Sequence, residues 1–183
     1  PILAATLLSD KKIELRNLPK VKDIETMLLL LKSLDTKIKY LKNNKSVLIE
    51  NNKKNKTFVS YHLVKTMRAG ILVLGPLLAR YSKAKVSLPG GCAIGTRPID
   101  IHLKAFSKLG VKFKIVQGYV HASAPKGLVG TKIKFPKISV GATENILIAS
   151  CLAKGKTKLR NCALEPEIND LIVFLKVSII SST

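Results

Sequence analysis

No tryptophan occurs in these 183 residues, and all aromatic residues together make up only 5% of the chain. With so few rings, no basic-aromatic interleaving suggests a stacking platform for single-stranded nucleic acid. Acidic residues are also scarce: 11 against 32 lysines and arginines, a formal net charge of +21. That excess makes a basic nucleic-acid-binding protein the main reading from a different functional class. Arginine is the side chain suited to bidentate phosphate and base contacts, and only Arg16, Arg68, Arg80, Arg97 and Arg160 are present. The lysines are spread along the chain, with one dense stretch, Asn51-Asn52-Lys53-Lys54-Asn55-Lys56, that reads as a polar loop. Co-enrichment of lysine, asparagine and isoleucine is what an AT-rich genome produces. The expectation is a scattered, non-specific charge and no nucleic-acid partner.

Cysteine is sparse as well. Cys92, Cys151 and Cys162 are an odd number without metal-ligand spacing, so neither a disulfide framework nor a metal site is expected, and a reducing, cytoplasmic compartment is the simplest setting. Cys151, among Ile148, Ala149 and Leu152, reads as a small core residue, whereas Cys92 lies in a loop between Pro89-Gly90-Gly91 and Ala93-Ile94-Gly95. Long apolar runs are missing: Ile71 to Leu74 is far short of the ~20 residues that span a bilayer. Pro1-Ile2-Leu3 lacks the basic lead-in of a signal peptide. With 46% apolar residues the chain has material for a hydrophobic core. A soluble protein without a membrane partner is expected.

What is present is a repeat. Ala5-Thr6-Leu7-Leu8 leads to Ile13-Glu14-Leu15-Arg16-Asn17, and about 144 residues later Ala149-Ser150-Cys151-Leu152 leads to Thr157-Lys158-Leu159-Arg160-Asn161. A degenerate middle copy runs Leu77-Leu78-Ala79-Arg80, Ala84 to Leu88, then Asp100-Ile101-His102-Leu103, with an insertion of about four residues at the cysteine loop. Each copy reads as an apolar helix, a short alternating strand and a second helix started by Asp23, Asp100 or Glu167. Ile38 to Tyr40 with Ser46 to Ile49, and Lys112 to Ile115 with Tyr119 to Ala122, read as closing strands. The alternation predicts an α/β fold with parallel pairing inside each unit. The copies fall at about 1–50, 62–122 and 139–183, and the outer two break mid-unit, so a single, incomplete domain truncated at both ends is expected.

The stretch Ser87-Leu88-Pro89-Gly90-Gly91-Cys92-Ala93-Ile94-Gly95-Thr96-Arg97-Pro98-Ile99-Asp100-Ile101-His102 resembles the cysteine-loop signature of UDP-N-acetylglucosamine enolpyruvyl transferases. Met67-Arg68-Ala69 to Leu77, Ser139-Val140-Gly141-Ala142-Thr143-Glu144-Asn145 and Glu165-Pro166-Glu167-Ile168 match that family too, in the same order. The resemblance runs from Pro1 to about Leu175. It implies an inside-out α/β barrel built from βαβαββ-type units, with helices inside and sheets outside. It implies an enzyme that moves the enolpyruvyl group of phosphoenolpyruvate to the 3-hydroxyl of UDP-N-acetylglucosamine with release of phosphate. That is the first committed step of peptidoglycan synthesis, and no cofactor is implied.

Residue by residue, the resemblance makes Cys92 the general acid and places Arg97 on phosphoenolpyruvate. Arg68 becomes a substrate contact. Pro98, Ile99, Asp100, Ile101 and His102 become the segment holding uracil and ribose. Lys137, Ile138, Ser139, Val140 and Gly141 become the second nucleotide-sugar segment, and Glu165 an active-site carboxylate. Flanking glycines give Cys92 the backbone freedom a closing loop needs. Without the resemblance, Asp100 and Glu165 read as first-turn helix acids. The sequence departs from the family at Leu164, where arginine is usual, and in the stretch from Lys176 to Thr183. The family's Lys-Asn pair, which precedes the segment matching Pro1, and its second domain have no counterpart here. The chain alone is therefore expected to be inactive. The enolpyruvyl transferase acting on shikimate phosphate shares the implied fold but lacks this cysteine loop.

Overall fold

The computed structural model describes residues 1–41, 45–64, 67–88 and 99–180. In the first unit α1 (Ile2–Ala5) runs into a 3-10 turn, Thr6–Leu8, and is followed by β1 (Ile13–Leu15), α2 (Lys22–Ser33), β2 (Lys37–Tyr40) and β3 (Val47–Glu50). The second contains β4 (Phe58–Val59), α3 (Tyr61–Val64), a 3-10 stretch, Arg68–Val73, α4 (Leu74–Tyr81) and β5 (Lys83–Ser87). It continues through α5 (Asp100–Lys108), β6 (Lys112–Val116) and β7 (Tyr119–Ser123). β8 (Lys132–Lys134), α6 (Val140–Ser150), β9 (Lys158–Arg160) and α7 (Pro166–Ser178) follow.

Two asparagines that the sequence pairs across about 144 residues share backbone geometry: Asn17, two residues after β1, and Asn161, directly after β9, take left-handed φ values of 57° and 54°. Asparagine tolerates that region better than most residues. The second helices of the first two copies end alike. Thr36 N–H donates to Leu31 C=O while Asp35 N–H donates to Lys32 C=O, and Val111 N–H donates to Phe106 C=O while Gly110 N–H donates to Ser107 C=O. Both are Schellman closures, with Asp35 at φ 65° where the later copy has Gly110 at φ 91°. In α2 the charges suit the helix dipole, Asp23 and Glu25 in the first turn and Lys32 in the last.

The two strands that flank the second helix of a unit do not pair with each other as expected. β1 and β2 point the same way but do not touch: β3 lies between them, antiparallel to both. In the same fashion β7 lies between β5 and β6. A helical crossover leaves room for one more strand, and a short hairpin fills it from the next strand along. The parallel contacts join β4 to β5 and β8 to β9, each across a helical crossover. β4 and β8, of two and three residues, are too short to show a period in sequence. With β4 included, the second unit is a βαβαββ arrangement in the order β4-β5-β7-β6.

The sheets face outward and the apolar helices fill the middle. α6 is buried on nearly every side, from Ala142 to Ala149, and packs against α4, whose Leu74, Leu77 and Leu78 have no exposed surface. One continuous core runs from Leu3 and Leu31 through Phe106 and Phe135 to Ala149.

The structure adds to two expectations about polar residues. Asn51 to Lys56 is a polar loop, as expected, but Asn51 and Asn55 in it are buried. Asn51 Nδ2 donates to Thr6 C=O (2.7 Å) and Ser9 C=O (2.9 Å), Thr36 Oγ1 donates to Asn51 Oδ1 (2.8 Å), and Asn55 Nδ2 donates to Thr36 Oγ1 (3.0 Å). Arg80, from the last turn of α4, donates to Leu7 C=O and Ser9 C=O of the same knot. The lysines are not evenly scattered. Lys85 Nζ lies over the rings of Phe58 (5.3 Å to the centroid) and Tyr119 (5.0 Å), and Lys83, Lys112 and Lys114 share that sheet face. Basic and aromatic residues meet across strands on this face.

Candidate functional site

Of the residues singled out by sequence, Cys92, Arg97 and Pro98 lie outside the described residues, as does the side chain of Arg68, which opens the 3-10 stretch Arg68–Val73. The other ten fall at the starts of three helices. Asp100 is the first residue of α5, with Ile99 before it and Ile101 and His102 in the same turn. Ser139 caps α6, its Oγ accepting from Ala142 N–H at 3.3 Å, with exposed Lys137 and Ile138 leading in and Val140 and Gly141 in the first turn. Glu165 precedes Pro166, the first residue of α7.

These starts lie at one end of the molecule. A Cβ built on Gly141 would stand 3.6 Å from His102 Cε1 and 3.7 Å from Nε2, so the first turns of α5 and α6 meet directly. Thr143, one turn into α6, donates from Oγ1 to Ser139 C=O (2.8 Å) and accepts from Ala163 N–H (3.0 Å), just before α7. Free N–H groups at three helix starts give this end a positive partial charge suited to an anion.

Asn145, in the next turn of α6, fixes the arrangement. It is fully buried; Oδ1 accepts from Gly75 N–H (2.8 Å) and Nδ2 donates to Ile71 C=O (2.9 Å). These two backbone partners settle which way the amide points. Nδ2 therefore directs its remaining hydrogen at His102 Nδ1, 3.2 Å away. The imidazole must accept there, so it is neutral with its proton on Nε2. Burial pushes the His102 pKa down to about 4, which agrees with a neutral ring.

Glu165 occupies the N-cap position of α7, but its side chain makes no capping bond, and its Oε2 is buried without a hydrogen-bond partner. A buried carboxylate oxygen left open is costly unless something else meets it. Beside it Leu164 is 82% exposed and, at the α6 start, Ile138 is 61% exposed, two large apolar side chains held in water at this end. Glu144 is buried within α6, and burial raises its pKa, with Glu167 adding to the rise.

An apolar cleft of about 480 Å³ opens beside the starts of α1, α2 and α7, floored by Leu18, Ile24, Met27 and Met67 and edged by Arg16 and Asp23. Sequence reading gave it no function; only the acidic first turn at Asp23 drew attention to the area. Among the described residues no three of His, Cys, Asp or Glu gather as metal ligands, and no helix is long and apolar enough to cross a membrane.

A family model described as EPSP synthase (3-phosphoshikimate 1-carboxyvinyltransferase) matches residues 1–179. The UDP-N-acetylglucosamine 1-carboxyvinyltransferase of Pelagibacter ubique (strain HTCC1062) is 74% identical over 175 residues, covering 96% of this chain and 42% of that protein. The protein of that name from Helicobacter pylori (strain Shi470) is 54% identical over 176 residues, with the same coverage of both. Among solved structures, the enolpyruvyl transferase NikO from Streptomyces tendae matches 96% of this chain and 41% of its own at a TM-score of 0.82. At 16% identity that likeness bears on fold alone. The chain thus spans about two fifths of the length of the curated relatives it matches. Its helix-filled, sheet-faced α/β architecture is that of the enolpyruvyl transferases, and the chain belongs to the EPSP synthase (3-phosphoshikimate 1-carboxyvinyltransferase) family.

Proposed function

We propose that this chain is the cysteine-loop portion of an enzyme that transfers the enolpyruvyl group from phosphoenolpyruvate to the 3-hydroxyl of UDP-N-acetylglucosamine. The observation that carries the reading is the meeting of the α5 and α6 starts, His102 against Gly141, directly after the loop that bears Cys92. The 74% identity to a UDP-N-acetylglucosamine 1-carboxyvinyltransferase supports this substrate over shikimate phosphate.

In this reading the segment from Pro98 to His102 holds the uracil and ribose. Lys137 to Gly141 offers a lysine and the α6 N–H groups to the diphosphate. Arg68 and Arg97 hold anionic substrate groups, and Glu165 presents its open carboxylate oxygen to the reacting centre. Cys92 gives its proton to the methylene carbon of phosphoenolpyruvate as the sugar oxygen bonds to the neighbouring carbon. The hydroxyl proton goes to a base in the part of the longer enzyme that this chain does not span. The tetrahedral ketal then loses phosphate and a methyl proton, which restores the double bond.

The chain forms one incomplete domain of three repeats, and catalysis needs the opposing domain, so the chain alone does not turn over. The reaction belongs to peptidoglycan synthesis in the cytoplasm, and Cys92 is the thiol that an epoxide such as fosfomycin would alkylate. Titrating the labelled chain with UDP-N-acetylglucosamine while following amide resonances tests the substrate. Shifts centred on Ile99 to His102 and Ser139 to Gly141 are expected, with none from shikimate 3-phosphate. Shifts confined to other regions, or elicited equally by shikimate 3-phosphate, overturn it.

A further inference from the structure

The outer face of the sheet β4-β5-β7-β6 brings lysines and aromatic rings together across its strands. Cross-strand register sets Lys83, Ser123 and Lys112 in one row and Lys85, His121 and Lys114 in the next, with Phe58 beside Lys85. Tyr119 follows one row on, and its ring centroid is 5.6 Å from that of Phe58. The alternate residues Ala84, Val86, Val120 and Ala122 are buried, so the lysines and rings face outward together.

Because β7 lies between β5 and β6, two lysine ridges flank a floor of His121 and Ser123. The ridges stand two strand spacings apart, about 10 Å. Between them runs an open trough of about 370 Å³, which Thr57 also lines. No carboxylate balances it: from Asn51 to Thr143 the only acid in the sequence is Asp100, at the start of α5. The ion pairs among the described residues engage Lys12, Arg16 and Lys56 with Glu50, Glu14 and Asp35, and leave the trough lysines out. Like charges facing one another across strands repel, so a polyanion relieves a cost already present in the free protein.

We propose that this trough binds single-stranded nucleic acid, its phosphates between the lysine ridges and a base on the Phe58–Tyr119 rings. A sheet face with aromatic side chains amid basic ones is a recurrent platform for unpaired bases. The trough is too narrow for a duplex to enter and is concave where a bilayer surface is flat. Its lining holds no arginine, asparagine, glutamine or acid to read base edges, so binding is indifferent to sequence. It lies on the sheet surface, apart from the helix starts, and does not rest on the transferase reading.

The test is fluorescence anisotropy of the 183-residue chain with a labelled twelve-nucleotide oligo-uridine, across a salt series. With about four phosphates met, the logarithm of the affinity falls against that of salt with a slope near −3. The variant Lys83→Glu, Lys85→Glu, Lys112→Glu, Lys114→Glu is expected to weaken binding about a hundredfold. The same charge change at Lys39, Lys108, Lys154 and Lys156 is expected to weaken it by less than about threefold. Equal losses in the two variants overturn the site, because the net charge alone then explains binding. Duplex RNA or phosphatidylserine vesicles binding more tightly than the single strand also overturn it. A measurement on the unaltered chain guards against misfolded variants: photocrosslinking to a 4-thiouridine oligomer, with peptide mapping. Adducts at Phe58 to Tyr61 or Tyr119 to Ser123 support the trough, and adducts confined elsewhere refute it.

Discussion

Asn145 Nδ2 lies 3.2 Å from Nδ1 of His102, and the same amide joins Gly75 N–H and Ile71 C=O, so one side chain ties α4, α5 and α6 together. Replacing it by leucine leaves buried backbone groups unpartnered, at ~1–3 kcal/mol each. Asn145→Leu is expected to lower the unfolding free energy by about 3–5 kcal/mol in urea titration. Asn145→Asp is more informative. It keeps an acceptor for Gly75 but turns an acceptor toward His102, so the imidazole should hold its proton to a higher pH, read by nitrogen chemical shifts. An unchanged His102 titration contradicts the geometry.

Stability should fall in mild acid through His102. Its folded pKa of about 4 lies below the ordinary 6.5, so the unfolded chain binds the extra proton first. The contribution is fully present above pH 6.5, declines as pH falls toward 4, and is constant below that. Set against His102→Gln, the native protein is expected to lose up to about 3 kcal/mol across that window. A difference that does not vary between pH 7 and 4.5 shows that the ring is not held neutral.

Two glycines separate packing from binding. A Cβ on Gly75 would sit 2.5 Å from Asn145 Oδ1 and 2.6 Å from Asn145 O, so α4 and α6 must part to admit it. Gly75→Ala is expected to cost about 2–4 kcal/mol. At Gly141 the new methyl meets only His102, at 3.6 Å and 3.7 Å, ordinary contact distances. Gly141→Ala should melt within about 3 °C of the parent and yet weaken UDP-N-acetylglucosamine binding, since it fills space at the proposed diphosphate site.

The thiols should label in a defined order. Burial pushes Cys151 up to about 11, and its Sγ donates to Leu147 C=O at 3.4 Å. Iodoacetamide under native conditions, with peptide mapping over time, should modify Cys92 first and Cys151 last. Earlier labelling of Cys151 or Cys162 in the folded chain contradicts Cys92 as the functional thiol.

Much of this was legible in the residues. The helix starts at Asp23, Asp100 and Glu167, and the strands β1, β2, β3, β5, β6 and β7, follow from period and punctuation, and the structure has them. Sheet order was not, because strand alternation is blind to which neighbour a strand takes; the insertion of β3 between β1 and β2 is decided by packing. The stretch around Asn51 reads as a polar loop, and its buried knot is not legible, since burial of a polar side chain depends on carbonyls as distant as Thr6 and Ser9. The lysine trough was invisible for a similar reason: Lys85, His121 and Lys114 become neighbours only through register. His102 and Asn145 were noticed only as letters of a motif; their hydrogen bond joins positions 43 residues apart.

The most direct test of the central claim is turnover by a chimera. The chain replaces the matching segment of the Pelagibacter ubique relative, and phosphate release is followed with phosphoenolpyruvate and either UDP-N-acetylglucosamine or shikimate 3-phosphate. The account predicts turnover with UDP-N-acetylglucosamine alone, its loss in Cys92→Ala, and none from the 183-residue chain by itself. A folded chimera that is silent with UDP-N-acetylglucosamine, or that prefers shikimate 3-phosphate, contradicts it.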